Sequence, residues 1–169
     1  RMGLLVADVS GKGTSAALYM AELKGLVLSL SRIHDSPARL LSEANRILSA
    51  NMDSRSFVTM TYAIVDTTAR SMRYARAGHN PVILIDRETR EVKTIKAEGI
   101  FVGVFDDAMV KDNVLPLKKN LRLVLYTDGL TEAENRTGEM YSLERLTALA
   151  GEALADADAL VHDQGRGRV

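Results

Sequence analysis

The order of the helical and strand patterns along the chain constrains its fold more than any other feature. After an opening strand, two helices are predicted, one capped by Thr14 or Ser15 and running to about residue 33, and one from the Ser36-Pro37 cap to about residue 51. Short strands follow at 57–65, 71–77, 81–86, 91–96, 109–115 and 121–127, and a last amphipathic helix at 142–154. This order predicts an α+β fold with antiparallel sheets and outer helices, in one domain over residues 1–169.

The two early helices differ in their apolar patterns. The first is apolar on nearly every side, which is typical of a buried helix. The second has one apolar face, which predicts that it packs on a core through Leu40, Leu41, Ala44, Ile47 and Leu48.

Two acidic turns, each fed by an apolar strand, are the main candidates for a functional site. One run of Leu and Val leads into Asp8 and a second leads into Asp128, and glycines follow, among them Gly11 and Gly129. A carboxylate at the end of a rigid strand is held still near water, and glycine leaves room for an ion or a phosphate. If the two strand ends meet, they form an oxygen-rich site for Mg²⁺ or Mn²⁺. The alternative is that each Asp only begins a turn.

Composition excludes several classes of function. Lys plus Arg and Asp plus Glu both total 22, so no net charge draws nucleic acid or an anionic membrane. Aromatic residues make up only 5%, which argues against a base-stacking surface. Cysteine is absent, which excludes thiol chemistry and fits a reducing compartment, so we expect a cytoplasmic protein that binds neither nucleic acid nor membrane.

Two further side chains could act on a phosphate. Lys12 lies in a Ser-Gly-Lys-Gly turn between strand and helix, but Val6 stands where a nucleotide-binding P-loop needs its first glycine. Lys12 can still face a phosphate near the helix N-terminus, and a solvated lysine explains the turn equally well. His79 lies in a predicted turn, where an imidazole could move a proton; exposure without a role is the alternative.

The remaining acidic and histidine residues are given structural roles or none. The run from Thr131 to Glu134 predicts a capping box at a helix start, with Glu132 and Glu134 serving that start. Asp106 and Asp107 are read as turn residues. His34 and His162 show no ligand spacing and are assigned no function.

Several sequence blocks resemble those of the bacterial SpoIIE/RsbU-type protein phosphatases. The first reads Val-Ala-Asp-Val-Ser-Gly-Lys-Gly from residue 6, followed by Ala-Ala-Leu-Tyr-Met-Ala from residue 16. The others read Phe-Val-Thr-Met from residue 57, Ala-Gly-His-Asn-Pro from residue 77, and Leu-Tyr-Thr-Asp-Gly-Leu-Thr-Glu-Ala from residue 125. The resemblance covers nearly the whole chain, and its first and last blocks are specific together.

The resemblance implies both a fold and a chemistry. Such proteins belong to the metal-dependent PPM phosphatases, with a four-layer α-β-β-α sandwich of two antiparallel sheets flanked by helices. It implies hydrolysis of phosphoserine or phosphothreonine by a water activated between two Mn²⁺ or Mg²⁺ ions. By motif, Asp8 corresponds to the carboxylate that bridges both ions and the Val9 carbonyl to a further ligand. Asp128 corresponds to a ligand of one ion, with Gly129 as the turn that exposes it.

The resemblance also implies partners. The expected substrate is a phosphorylated STAS-type anti-sigma-factor antagonist, and the expected context is a longer regulator with an N-terminal sensor or receiver domain and a possible homodimer. In eukaryotic-type relatives a histidine two residues after the bridging aspartate can act as leaving-group acid. Ser10 holds that position here, so His79 or metal-bound water is the candidate acid.

The chain departs from the family pattern in two places. An acidic Gly-Gly-Asp-type block normally precedes the first motif and an Asp-Asp-(Ile/Val)-Thr strand normally lies near the C-terminus; neither is found, and Asp163 does not fit the second. We expect that sequence is missing at both ends. The alternatives are a degenerate phosphatase-like module that binds a partner without turnover and, on weaker grounds, a nucleotide-binding regulator.

Overall fold

The computed structural model describes residues 1–53, 55–104 and 109–152. Their elements are β1 (Met2–Val9), α1 (Thr14–Leu30), α2 (Pro37–Asn51), β2 (Val58–Asp66), β3 (Ser71–Ala77), β4 (Val82–Asp86), β5 (Glu91–Ile95), β6 (Asn113–Pro116), β7 (Leu121–Val124), α3 (Asp128–Thr131) and α4 (Leu143–Glu152). They fall into two compact units, the first made of Arg1–His79 and Ala97–Leu117 and the second of Asn80–Lys96 and Lys118–Val169. The expectation of a single domain stays a prediction.

The first unit is an antiparallel sheet with two helices packed on one face. Its strand order is β1-β2-β3-β6, and β1 pairs with β2 along its whole length, from Met2 opposite Val65 to Val9 opposite Val58. Side chains that alternate along the strands meet the helices in one apolar core, which includes Val9, Leu23, Leu40, Met60 and Ala75. Burial of this face of the sheet fixes the register, because a slip by one residue would turn each apolar side chain to the opposite face.

Helix α2 follows the sequence-based expectation closely. The hydroxyl of Ser36 accepts a hydrogen bond of 3.1 Å from the Arg39 N–H, and Pro37 occupies the first helical turn. On the predicted face Leu40, Leu41, Ala44 and Leu48 are fully buried, whereas Ile47 is half-buried. A cap and a one-sided apolar pattern therefore sufficed to predict this helix.

The prediction that α1 is buried on all sides is wrong. Leu23, Val27 and Leu30 face the core, whereas Leu18 is 66% exposed and Leu28 58% exposed. One sheet face and one neighbouring helix cover only one side of a helix, whatever the composition of its other side.

The second unit is a three-stranded antiparallel sheet with α4 packed on it. Its strand order is β5-β4-β7, and α4 contacts β4 and β5. Ile83, Ile85, Tyr126, Leu146 and Ala150 form its core. Together the two units confirm the α+β class with two antiparallel sheets and flanking helices. None of the described helices is both long enough and apolar enough to cross a membrane.

Two predicted strands are shorter than expected. The sixth strand begins at Asn113 and not at residue 109, because the backbone of Met109 has a φ of 46°, which is incompatible with a strand. The seventh ends at Val124, opposite Ile83, because β4 begins at Val82 and its partner residues run out there. Asp128 therefore lies four residues beyond a strand and not directly at its end.

Candidate functional site

Asp8 lies at the end of a firmly held strand. It is half-buried, and the next residue, Val9, has its side chain in the helix-facing core with an exposed fraction of 7%. Beyond the strand, Ser10 continues the pairing, since its N–H donates to the Phe57 carbonyl over 2.9 Å and its hydroxyl accepts from the Phe57 N–H over 2.8 Å. The Ser10 hydroxyl thus holds the start of β2, and the main chain on either side of Asp8 is fixed by pairing with β2 and Phe57.

The turn that follows Asp8 is open to solvent. Gly11 has a φ of +91° and Gly13 a φ of +84°, conformations that L side chains rarely adopt, and a Cβ atom at either position would meet no other atom within 4 Å. Lys12 between them is exposed. Gly13 occupies the N-cap of α1 without a side-chain hydrogen bond, so the prediction that Thr14 or Ser15 caps this helix is wrong. The turn between Asp8 and the helix start is therefore exposed and free of packed side chains at both glycines.

His79 is buried, which contradicts its expected exposure. Only 3% of it is accessible. The preceding Gly78 has a φ of +67°, its N–H donates to the Gly99 carbonyl over 3.1 Å, and the Arg76 guanidinium donates to the His79 carbonyl. These contacts hold the histidine backbone in place and carry its imidazole into the first unit.

The imidazole of His79 meets a residue that the sequence analysis did not single out. Its Nδ1 and the hydroxyl of Thr59 share a hydrogen bond of 2.9 Å. Thr59 stands directly opposite Asp8 in the register of β1 and β2. Its only sequence signal was membership of the Phe-Val-Thr-Met block, which carried no chemical role by itself.

Asp128 lies in the second unit, at the first residue of the short helix α3. It is exposed, and its main-chain carbonyl accepts hydrogen bonds from the Glu132 N–H (2.7 Å) and the Thr131 hydroxyl (3.2 Å). Gly129 is exposed and is not among the residues with positive φ. The expected turn at Gly129 is thus a helical turn that does not need the conformational freedom of glycine.

The segment after α3 does not start a helix at Thr131, so the predicted capping box is wrong. Glu132 is the C-terminal cap of α3, and Glu134 pairs with Met140 in an exposed loop. Helix α4 is capped instead by Ser142, whose hydroxyl accepts from the Arg145 N–H over 3.4 Å. The positions of Asp106, Asp107, His162 and Asp163 lie outside the described residues.

The oxygen atoms of Asp8 and Val9 are of the type that a hard divalent cation binds. Carboxylate and main-chain carbonyl oxygens, here of Asp8 and Val9, are the ligands that Mg²⁺ and Mn²⁺ prefer, and an open glycine turn follows them in the chain. Within the described part of the chain, no three acidic, histidine or cysteine side chains lie together as a metal cluster. The first unit therefore offers part of a donor set, and its completion by Asp128 stays a prediction.

Comparison with known proteins identifies the family. A family model described as Stage II sporulation protein E (SpoIIE) matches residues 1–166. The phosphoserine phosphatase RsbU of Bacillus subtilis is 32% identical over 137 residues, which cover 81% of this chain and 41% of RsbU. The phosphoserine phosphatase RsbP of the same organism is 28% identical over 78% of this chain and 34% of its own length. The chain thus spans about two fifths or less of these two curated relatives.

Solved structures agree on the fold. The SiaA-PP2C domain of Pseudomonas aeruginosa superposes with a TM-score of 0.84 at 19% identity, over 98% of this chain and 69% of that domain. The RsbU and RsbW domains of Rv1364c from Mycobacterium tuberculosis give a TM-score of 0.79 at 24% identity, over 93% of this chain and 44% of that one. Because the family model matches nearly the whole chain and RsbU is similar over most of it, the chain belongs to the SpoIIE family, whose relatives RsbU and RsbP are phosphoserine phosphatases.

Proposed function

We propose that this chain is a metal-dependent protein phosphatase that hydrolyses phosphoserine or phosphothreonine on a regulatory protein. The observation that carries the proposal is the half-buried Asp8, fixed at the end of a fully paired strand and followed by an open glycine turn. An oxygen ligand of a hard cation is favoured by a rigid backbone beneath the carboxylate and by an open turn next to it. Family membership supplies the reaction class.

The proposed ligands are three. The Asp8 carboxylate, the Val9 main-chain carbonyl and the Asp128 carboxylate would hold the Mn²⁺ or Mg²⁺ ions. When bound, such ions supply a water activated for attack on phosphorus and offset charge on the phosphoryl oxygens. A protein nucleophile is then unnecessary, in keeping with a chain that has no cysteine.

The turn after Asp8 is the proposed phosphate-binding region. Lys12 is exposed there and next to the start of α1, whose N-cap Gly13 provides no side-chain hydrogen bond. A cationic side chain and helix amide groups both favour an anion. Gly129, next to Asp128 in α3, is the second position proposed to lie near the phosphate.

The leaving group of the proposed reaction needs a source of a proton. His79 was the protein candidate, yet an imidazole with 3% exposure and with Nδ1 on Thr59 is poorly placed to reach a bulky phosphoprotein. Ser10 uses its hydroxyl to hold Phe57 and is a poor acid. We therefore assign this protonation to water and give His79 a supporting role.

The proposed partner is a phosphorylated STAS-type anti-sigma-factor antagonist, because partner switching of that kind is the regulatory context that the RsbU resemblance implies. On the same ground we propose a cytoplasmic regulator that carries a sensor or receiver domain before this part and is able to form homodimers. Nucleic acid and membranes are not proposed partners, since the chain has equal numbers of basic and acidic residues.

A second candidate function is a degenerate phosphatase-like module that binds its partner without turnover. It is favoured by one observation, the lack of a three-carboxylate cluster among the described residues. Calorimetric titration with Mn²⁺ separates the two, because a binding module of this kind needs no metal.

The test is metal-stimulated hydrolysis of a phosphomonoester by the protein with its complete native sequence. Mn²⁺ should activate turnover, and Asp8→Asn and Asp128→Asn should each abolish it while the circular dichroism spectrum stays unchanged. Asp35→Asn is the control, because its side chain is 89% exposed and should leave turnover unaffected. Turnover at the wild-type rate in either ligand variant would refute the ligand assignment, and the absence of Mn²⁺-stimulated turnover would refute the function.

A further inference from the structure

Asp8, Thr59 and His79 of the first unit are neighbours in turn, and we call these three residues the line. Asp8 on β1 and Thr59 on β2 are directly opposite each other, so their side chains lie on the same face of the sheet with Cβ atoms about 5 Å apart. That separation suits a hydrogen bond between a threonine hydroxyl and a carboxylate. On its other side the Thr59 hydroxyl is 2.9 Å from Nδ1 of His79.

His79, the buried member of the line, is held in place by its surroundings. His79 is 3% exposed, its carbonyl accepts from the Arg76 guanidinium, and the N–H of the preceding Gly78 donates to Gly99. Arg76 is itself held, because its Nε donates to the Ala97 carbonyl over 2.7 Å. An imidazole so placed can hold the Thr59 hydroxyl in one orientation.

The donor and acceptor capacity of each group determines which of these three residues donates to which. An ionised carboxylate only accepts, and a hydroxyl has a single hydrogen to donate. If Thr59 donates that hydrogen to Asp8, it must accept from His79, so Nδ1 of His79 must carry a proton. Metal-ligating groups are commonly oriented by outer partners of this kind, which tune the affinity of the site.

We infer that Thr59 is a positioning residue whose hydroxyl, held by the buried His79, orients the Asp8 carboxylate. The inference rests on the proposed function for its link to metal binding, because Asp8 is the proposed bridging ligand. It replaces a direct chemical role of His79 by a supporting one.

The chain offers a matched control on the same strand. Thr61 lies two residues along β2, opposite Val6, and therefore on the same face as Thr59. It is 1% exposed, and among the described residues its hydroxyl has no hydrogen-bond partner. Thr→Val removes a hydroxyl and keeps the β-branched shape, so T59V and T61V differ mainly in whether the lost hydroxyl had a partner.

The first measurement is Mn²⁺ affinity by calorimetry in the full protein. We expect T59V to bind Mn²⁺ about 10-fold more weakly than wild type, the lower end for loss of an outer partner of a ligand. T61V should stay within about twofold, and T59S, which keeps the hydroxyl, should recover most of the affinity. Unchanged affinity in T59V, or an equal loss in T61V, would overturn the inference.

A second measurement needs no metal, so it separates this inference from the proposed function. In the metal-free protein the carboxyl ¹³C resonance of Asp8, at one neutral pH, should move in T59V and not in T61V, and ¹⁵N spectra should show His79 protonated on Nδ1. An unprotonated Nδ1 in the wild type, or an unmoved Asp8 resonance in T59V, would overturn the positioning role. A wild type that binds no Mn²⁺ but shows both spectral signatures would refute the proposed metal chemistry alone. If T59V does not fold, the wild-type tautomer still decides the inference, because an Nδ1 without a proton cannot donate to Thr59.

Discussion

Replacement of Gly78 by alanine should destabilise the first unit by about 2–5 kcal/mol. Two effects add up. Gly78 has a φ of +67°, and an L residue there costs roughly 1–2 kcal/mol. The new Cβ would also lie 2.9 Å from the main-chain nitrogen of Phe101 and 3.0 Å from its Cα. Overpacking of this kind costs about 1–3 kcal/mol, and backbone atoms cannot rotate away.

The assay is urea unfolding followed by circular dichroism, with the free energy of unfolding from linear extrapolation. In a chain of this size each kcal/mol lowers Tm by roughly 2–4 °C. Gly11→Ala is the matched control, because Gly11 also has a positive φ, of +91°, and a Cβ there would meet nothing within 4 Å. It should show only the backbone cost of about 1–2 kcal/mol.

The comparison of the two variants tests the steric argument directly. If Gly78→Ala is no less stable than Gly11→Ala, then Phe101 does not pack tightly on Gly78, and the steric part of the predicted loss is wrong. A larger loss in Gly78→Ala supports the view that this turn is fixed by close backbone contact.

Two further predictions concern the second unit. Gly129→Ala should change the free energy of unfolding by no more than about 0.5 kcal/mol, since its Cβ would make an ordinary 3.8 Å contact with Thr127; turnover that falls with Tm unchanged would fit its proposed place beside the phosphate, and a large drop in Tm would contradict the helical geometry. The pKa of Asp86 is lowered, first by the Thr89 N–H and then by that of Glu88, which donate to its carboxylate. A lowered folded-state pKa stabilises the protein above the unfolded value of 3.8, and this stabilisation is lost as the pH falls through the folded-state pKa. Asp86→Ala should therefore flatten the loss of stability below about pH 4 in acid titrations of urea midpoints, and an unchanged acid slope would count against these hydrogen bonds.

Local patterns predicted most of the secondary structure. The Ser36-Pro37 cap and the one-sided face of α2 were correct because capping and amphipathic burial depend on residues within a few positions of each other. The sequence blocks likewise identified the family, because their residues and their order can be recognised without knowing any contact in the fold.

The errors occurred where distant residues decide the outcome. His79 looked like an exposed turn residue, yet it is buried. Its neighbours Gly78 and Arg76 donate hydrogen bonds to the carbonyls of Gly99 and Ala97, which lie about twenty positions away. The sequence around Thr131 matched the pattern of a helix start, but the Thr131 hydroxyl donates to the main-chain carbonyl of Asp128 at the end of α3. In both cases the local sequence was compatible with two structures, and the hydrogen bonds of the folded chain determined which one formed.

The sequence by itself determined the class of fold, the family and the position of Asp8 at a strand end, because periodicity, caps and motifs are short-range properties. Only the tertiary structure brought Thr59 opposite Asp8 and His79 onto Thr59, because β-sheet register joins residues that are about fifty positions apart in the chain. The sequence identifies the Asp8 carboxylate, but its neighbours in the fold are determined by strand register and by burial.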